Sequence, residues 1–241
     1  MGLGLGRPAP PGRGALGRAG CGGQQYFCLF ATRRMHRHFL LYKPYGYLSQ
    51  FWSDDAREAR KKRFLGELHD FPAGTMAVGR LDEASEGLLV LTTDGRLSER
   101  LRRPDVAKQY YIQVDGVATE AALAQLRQGV DISVHGQAFR TAPCLAHALP
   151  QAPALPPRAR PVRADRHGPS SWLSVTISEG KFRQVRKMSA AVGLPTLRLV
   201  RVQVGPWQLG TMQPGEVREL PSWDDAASAI FSLPSAVLSE N

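Results

Sequence analysis

Short apolar stretches run along most of the chain, and they predict a protein built around β-strands. Each stretch carries leucine, β-branched or aromatic residues and is bounded by glycine, proline or polar residues. The predicted strands cover residues 38–44, 75–79, 88–92, 108–114, 171–178 and 196–205. Residues 88–92 are all apolar or β-branched, so we expect this strand to be buried.

Apolar residues at helical spacing lie between several of these strands. The predicted helices cover residues 64–71, 94–101, 119–129 and 182–192. Thr93 or Asp94 can cap the second helix, and Thr119 can cap the third. Because helices and strands are mixed without a regular βαβ rhythm, we expect an α+β fold with a mixed, mainly antiparallel sheet and flanking helices and loops.

Three segments lack any periodicity. Residues 1–36 are rich in Gly, Pro, Arg and Ala, which predicts a disordered N-terminal extension. A mis-assigned start before Met35, a dispensable tail or an organellar transit peptide would each account for it. Residues 149–169 predict a proline- and arginine-rich arm, and residues 221–241 a peripheral tail. We expect the catalytic or binding domain to be residues 37–220.

The formal net charge of +10 is distributed unevenly. Residues 1–53 carry +7 and residues 155–201 carry +8, whereas residues 54–154 and 202–241 carry −1 and −4. Such clustering is typical of a protein that binds a polyanion, since each phosphate contact releases a counterion. A solvated basic surface without a partner would show the same charge pattern.

Several functional classes are disfavoured by what the sequence contains. No apolar run is long enough to span a membrane, and the three cysteines form neither a C-x-x-C pair nor an even set. The sequence has no P-loop, G-x-G-x-x-G or His/Cys ligand cluster, so we expect neither a metal nor a nucleotide cofactor. A reducing, cytoplasmic location is expected from the cysteine usage.

An acidic turn precedes the buried strand in the segment GRLDEASEGLLVLTTDG, residues 79–95. Gly79 and Gly87 allow the backbone to turn sharply and to lie close to a ligand. Arg80 stands two residues before Asp82, and a neighbouring guanidinium favours the ionised carboxylate that a nucleophile or base requires. Asp82 is therefore either a catalytic residue or an ordinary carboxylate that caps a turn.

Two further segments could complete a site. In KQYYIQVDG, one of Tyr110 and Tyr111 must face away from the core if residues 108–114 form a strand, and an inward tyrosine in a cleft can stack on a nucleobase. In EGKFRQVRKM, four cations gather where a strand leads into a helix, a place suited to phosphate. A core aromatic residue and a solvated helix face are the alternative interpretations.

These three segments together resemble a family of pseudouridine synthases that act on ribosomal RNA, the RsuA/RluB/E/F type. The order and spacing of the motifs match from about residue 38 to residue 220. Many members begin with a small RNA-binding domain of the ribosomal-protein S4 type, for which we expect no room here. The short start, residues 48–51 (LSQF) and the arm before Ser171 favour the subgroup that acts on 23S ribosomal RNA.

The resemblance implies a role for each matching residue. Asp82 is expected to be the nucleophile or base, Tyr110 to pack against the target base, and Arg186 to pair with Asp82. Phe182 stands where the family usually has a polar residue. The expected RNA-binding residues are Arg80, Lys108, Lys181, Arg183 and Lys187.

The implied activity is isomerisation of a uridine in ribosomal RNA to pseudouridine, with no cofactor and no metal. Whether Asp82 attacks C1′ or removes the C2′ proton stays open. The expected partner is the large-subunit RNA or its assembly intermediate, bound by a monomer without a membrane. A non-catalytic RNA-binding protein and a glycosidase that pairs Asp82 with Glu86 are the alternatives.

Overall fold

A computed structural model describes residues 36–162 and 168–220 of the protein. The predicted extension up to residue 35, the predicted tail 221–241 and residues 163–167 of the arm lie outside the described ranges. The strands are β1 (His38–Lys43), β2 (Met76–Ala77), β3 (Glu86–Thr92), β4 (Lys108–Asp115), β5 (Asp131–Val134), β6 (Gln137–Arg140), β7 (Leu145–Leu149), β8 (Ser170–Ile177), β9 (Thr196–Val204), β10 (Trp207–Gln208) and β11 (Val217–Leu220). The helices are α1 (Ala56–Lys61), α2 (Gly95–Leu101), α3 (Glu120–Gln128) and α4 (Gln184–Ala191), with a 3₁₀ turn at Leu65–Glu67.

One large sheet dominates the described part of the chain. Nine of the described strands form it, in the order β11-β1-β3-β9-β4-β8-β7, with β2 paired to β3 and β10 paired to β9. Strands β5 and β6 form a separate hairpin. Among the described strand pairs only β3 and β9 are parallel, so the expected mixed, mainly antiparallel α+β fold is confirmed.

Strand β3 is buried on both faces, as its apolar run predicts. Leu88 and Val90 belong to one apolar cluster and Leu89 and Leu91 to another, because successive side chains of a strand point to opposite faces. All seven residues of the strand are buried. The parallel neighbour β9 and the antiparallel neighbour β1 therefore enclose the strand that follows the acidic turn.

Helices α3 and α4 cover one face of the sheet at β4, β8 and β9. Leu123 and Leu126 of α3 and Val185 and Met188 of α4 pack in one cluster with Ile112 of β4. Each such side chain contributes roughly 1.5–3 kcal/mol when fully buried. This packing fixes the start of α4 above β4, the strand that carries the two tyrosines.

The structure corrects several of the predicted elements. Residues 64–71 form only the 3₁₀ turn, and the strand predicted at 75–79 shrinks to two residues. Helix α4 begins at Gln184 rather than at residue 182, because Arg183 has left-handed backbone angles, φ 52° and ψ 33°. The five strands β5, β6, β7, β10 and β11 were not predicted, since each is short and mostly exposed on at least one side.

Gly87 is required where β3 meets β9. Its φ is +105°, and an added Cβ would lie 2.3 Å from the backbone oxygen of Arg201. The sequence suggested that this glycine lies close to a ligand, but the close neighbour is the backbone of β9.

Replacing Gly87 with alanine should lower the free energy of unfolding by about 3 kcal/mol or more, because backbone strain and an overlap with β9 add together. Chemical denaturation measures this change. The matched control is Gly193→Ala, at φ +78° with nothing within 4 Å of the added Cβ, and it should cost only about 1–2 kcal/mol. Equal losses in the two variants would contradict the close packing of β3 on β9.

Candidate active site

A cavity of about 240 Å³ lies between the acidic turn, strands β4 and β9, and the start of α4. Its wall carries a single carboxylate among the described residues, that of Asp82, and the phenol of Tyr110. The cations of the wall are Arg80, Arg102, Lys108, Lys181, Arg183, Arg186 and Arg201. The cavity is therefore strongly electropositive, with one negative group inside it.

The turn that carries Asp82 is held by hydrogen bonds to five consecutive carbonyl groups, from Leu81 to Ser85. One of these bonds is internal, and the other four come from other parts of the chain. The donors are Ser49 Oγ to Leu81, Ser85 N to Asp82, Gly46 N to Glu83, Arg186 Nη2 to Ala84 and Lys43 Nζ to Ser85, all at 2.8–2.9 Å. Ser49 Oγ also accepts from the backbone N–H of Leu81 at 2.9 Å. The backbone at Asp82 is thus fixed from several directions.

Two guanidinium groups approach the carboxylate of Asp82. Arg183 Nη1 lies 3.4 Å and Arg186 Nε lies 3.8 Å from Oδ2. Arg186 is the more buried of the two, with a side chain 12% exposed against 42% for Arg183. Burial and the nearby Arg183 lower the pKa of Arg186 below its ordinary value, whereas Asp82 acts in the opposite direction. The expected contact between Arg186 and Asp82 is therefore present.

Arg183 reaches Asp82 from just outside helix α4. It is the residue before α4, in a left-handed conformation that costs a non-glycine residue about 1–2 kcal/mol. Helical spacing predicted its side chain on the same helix face as Arg186 and Lys187. Arg183 and Arg186 both reach Asp82, and Arg183 is the neighbouring guanidinium that the sequence suggested Arg80 would be. Arg80 itself is exposed at the cavity wall.

Tyr110 and Arg201 face each other across strands β4 and β9 on the cavity side. Tyr110 is 8% exposed, while Tyr111 lies in a groove on the other side of the sheet, so the two tyrosines point apart as expected. Arg201 is 4% exposed and donates from Nε to the carbonyl of Leu88 at 2.8 Å. Its buried Nη2 has no hydrogen-bond partner, so Arg201 leaves a donor uncommitted at the cavity.

Comparison with known proteins agrees with this geometry. The profile of the family described as RNA pseudouridylate synthase matches residues 37–191. The chain belongs to this family. It is an RNA pseudouridine synthase, an isomerase that acts on RNA.

Named relatives and a solved structure extend the match. The chain is 49% identical over 181 residues to ribosomal large subunit pseudouridine synthase E of Xanthomonas campestris, a match that covers 74% of this chain and 92% of that protein. It is 42% identical to the synthase E of Vibrio parahaemolyticus, over 74% of this chain and 71% of that protein. A crystal structure of a pseudouridylate synthase superimposes with a TM-score of 0.61 at 26% identity, covering 80% and 74% of the two chains.

The remaining residues expected to bind RNA lie in different places. Lys108 lines the cavity of the synthase and donates to the carbonyls of Val106 and Ser178, and burial lowers its pKa to about 8. Lys181 also lines the cavity, with Nζ 4.9 Å from the ring centre of Phe139. Lys187 lies outside the cavity wall and donates to the carbonyl of Ser133. These cations are therefore split between the pocket and its surroundings.

The arm contacts the sheet through Leu155, Pro156 and Arg158. Arg198 of β9 donates to the carbonyl of Pro156 at 2.8 Å. Arg158 donates to the carbonyl of Leu197, and its guanidinium lies 3.9 Å from the ring centre of Tyr45. Arg158 thus holds this part of the arm against β9 and Tyr45.

Glu86 is excluded as the second carboxylate of a glycosidase. Its side chain is 3% exposed and lies 2.7 Å from Arg198 Nε. Glu86 is not one of the described residues that line the cavity.

In the described ranges no helix is long and apolar enough to cross a membrane, and no group of three His, Cys, Asp or Glu residues could hold a metal.

Lys43 supports the turn of the site, and the sequence patterns did not predict this role. It is fully buried at the end of β1, and its ammonium group donates to the carbonyls of Pro44 and Ser85 at 2.9 Å. Burial lowers its pKa to about 7, against the attraction of Glu86 and Asp82. The available signal was a lysine that follows the apolar run FLLY and directly precedes a proline, a place where a buried cation needs hydrogen-bond partners.

Lys43 should make the stability of the enzyme depend on pH. Its pKa is about 7 in the folded chain and about 10.5 when unfolded, so the unfolded chain holds more protons between these values. The free energy of unfolding should therefore rise with pH from about 7 to 10.5, while the cost of burying the charge is fully present below pH 7. Lys43→Met should flatten this rise in urea titrations at pH 6, 7, 8 and 9. The control Lys61→Met, at an exposed lysine of α1, should keep the wild-type slope.

Proposed function

We propose that this synthase converts a uridine of large-subunit ribosomal RNA to pseudouridine, with Asp82 acting on the ribose. The observation that carries the proposal is the position of Asp82, the single described carboxylate in a wall of cations, between Arg183 and Arg186. The names of the two synthase E relatives support large-subunit RNA as the substrate.

The size of the cavity supports a flipped nucleotide as the substrate. A cavity of about 240 Å³ is large enough for a small ligand and far too small for a nucleic-acid duplex. Enzymes that act on a base therefore extrude it into a pocket, at a cost of a few kcal/mol. Phosphate contacts to exposed cations around the pocket, among them Arg80, offset this cost.

The reaction breaks the bond between C1′ of the ribose and N1 of uracil and forms a bond between C1′ and C5. N1 gains a proton and C5 loses one, so the product is an isomer and no electrons are exchanged. Asp82 starts this sequence either by attacking C1′ or by removing the C2′ proton. The fixed turn and Arg186 orient its carboxylate, and Tyr110 packs against the base while it is detached.

All of these groups belong to one chain, so the proposal requires no second copy. The monomeric state and the cytoplasmic location expected from the sequence stay predictions. The choice of uridine depends on RNA shape around the pocket.

Asp82→Asn should abolish tritium release from ribosomal RNA transcribed with 5-tritiated uridine, because an amide can neither attack C1′ nor accept the C2′ proton. RNA binding, measured by filter retention, should stay within about threefold. The matched control is Glu83→Gln, which removes the neighbouring carboxylate that pairs with Lys62 at 2.6 Å. Turnover by the Asp82 variant would remove Asp82 from its role, and RNA binding without turnover by the wild type would favour a non-catalytic RNA-binding protein.

Arg186→Gln should lower the single-turnover rate at saturating RNA by about 100-fold or more, because a misplacement of about 1 Å costs that much. Arg186 contacts both Asp82 and the turn carbonyl of Ala84, whereas the more exposed Arg183 contacts the carboxylate alone. Arg183→Gln should therefore lower this rate by less than about tenfold. The reverse order of the two losses would show that Arg183 is the residue that orients Asp82.

A further inference from the structure

Two aromatic rings form an exposed pair beside the cavity. Phe182 is 54% exposed, and its ring lies parallel to that of His135, with 5.5 Å between the ring centres and 23° between the planes. His135 is itself exposed, at the turn of the β5–β6 hairpin. Single exposed hydrophobic residues are common on protein surfaces, but a stacked, exposed pair of rings presents a flat aromatic surface.

The pair lies directly outside the site. Lys181 and Arg183 line the cavity, whereas Phe182 between them lies outside the cavity wall. Arg183 is also the residue whose guanidinium contacts Asp82. A nucleotide held at Asp82 would therefore have its chain neighbour, rather than its own base, close to Phe182.

A residue with positive φ lies at or next to each of the two rings. His135 and the residue after Phe182, Arg183, are the two non-glycine residues with positive φ in the described ranges, at 51° and 52°. His135 and Gly136 form the two-residue turn of the hairpin, for which positive φ at both residues is the normal geometry, and this turn places the His135 ring at the tip. The hairpin is also tied to α4, since Lys187 Nζ donates to the carbonyl of Ser133 at 2.6 Å.

Cations surround the ring pair. Lys187 Nζ lies 5.1 Å from the centre of the Phe182 ring, and Lys181 and Arg183 flank the ring in sequence. An aromatic surface among cations is the arrangement by which proteins bind single-stranded RNA, since bases stack on the rings while phosphates pair with the cations. A protein partner with an apolar surface would gain nothing from the cations.

We propose that Phe182 and His135 form a stacking platform for one unpaired base of the RNA, a base that flanks the flipped uridine. This inference rests on the proposed function, because it assumes an RNA held with one nucleotide at Asp82. The base stacks on the pair formed by Phe182 and His135, and Lys187 contacts the phosphate group next to that base. The platform binds this base and does not take part in the chemistry.

The test separates stacking from apolar packing and from charge. Phe182→Ala and Phe182→Leu should both raise the concentration of ribosomal RNA that gives half-maximal tritium release, by about 5- to 100-fold. Phe182→Trp should stay within about threefold of the wild type, because it keeps an aromatic face. His135→Ala should weaken binding in the same direction. Val117→Ala, at another exposed apolar residue, is the control and should change nothing.

Salt dependence adds a second measurement. Phe182→Leu should leave the slope of log affinity against log salt concentration unchanged, whereas Lys187→Gln should reduce the slope, since only the lysine releases a counterion. Wild-type half-saturation in Phe182→Leu would overturn the platform, and so would a loss in Phe182→Trp as large as that in Phe182→Ala.

Failure of the platform differs from failure of the proposed function. If the wild type releases no tritium, the proposed function fails and filter binding of the same RNA to the variants still tests the platform. If the wild type turns over and the Phe182 variants bind RNA as it does, the platform alone fails. Thermal unfolding within a few degrees of the wild type shows that each variant is folded.

Discussion

The hydrogen bonds to the carbonyl groups of residues 81–85 are the interactions on which the site depends. A buried or half-buried carbonyl without a donor costs free energy, so each bond stabilises one conformation of the turn. The donors come from the end of β1, from the loop after it and from α4. One carboxylate is thereby fixed by three separate parts of the chain, and a change in any of them reaches Asp82.

Two of those donors are cations, and this choice has an electrostatic consequence. Lys43 and Arg186 carry positive charge into places where burial lowers their pKa values. Lys108 and Arg201 add two more half-buried or buried cations on the other side of the cavity. The fold therefore concentrates positive charge around one carboxylate. The cations around such a pocket repel one another and attract a polyanion, which agrees with membership of a family that acts on RNA.

The large sheet turns this local arrangement into a rigid site. Strand β3 leads directly out of the turn, and β9 lies parallel to it through the close contact at Gly87. Strand β4 then brings Tyr110 opposite Arg201. Because α4 packs on β4 and β9 through Val185 and Met188, its first turn is fixed above the same strands. The catalytic candidates thus sit on elements that are buried on at least one face.

Much of this was readable from the sequence. The apolar run before Thr92, the alternation at residues 108–114 and the helical spacing after residue 183 each predict the element that forms, because local pattern and burial agree there. Asp82, Tyr110 and Arg186 were named together as a candidate site by the resemblance of their three motifs to a pseudouridine synthase family, not by the local patterns. The short strands β5, β6, β7, β10 and β11 were missed, since a few half-exposed residues carry too weak a period to be recognised.

Only the tertiary structure decided which distant segments contact each other and which single residues adopt unusual backbone angles. The sequence determined that an aspartate, a tyrosine and a cationic helix start exist at the ends of buried elements. It could not show that Lys43 is buried beneath the turn, that Arg183 bends to Asp82 in place of Arg80, or that Phe182 stacks on a hairpin 47 residues earlier. Periodicity records which face of an element is buried, whereas these three features depend on which other element lies against that face and on the strain that the packing stabilises.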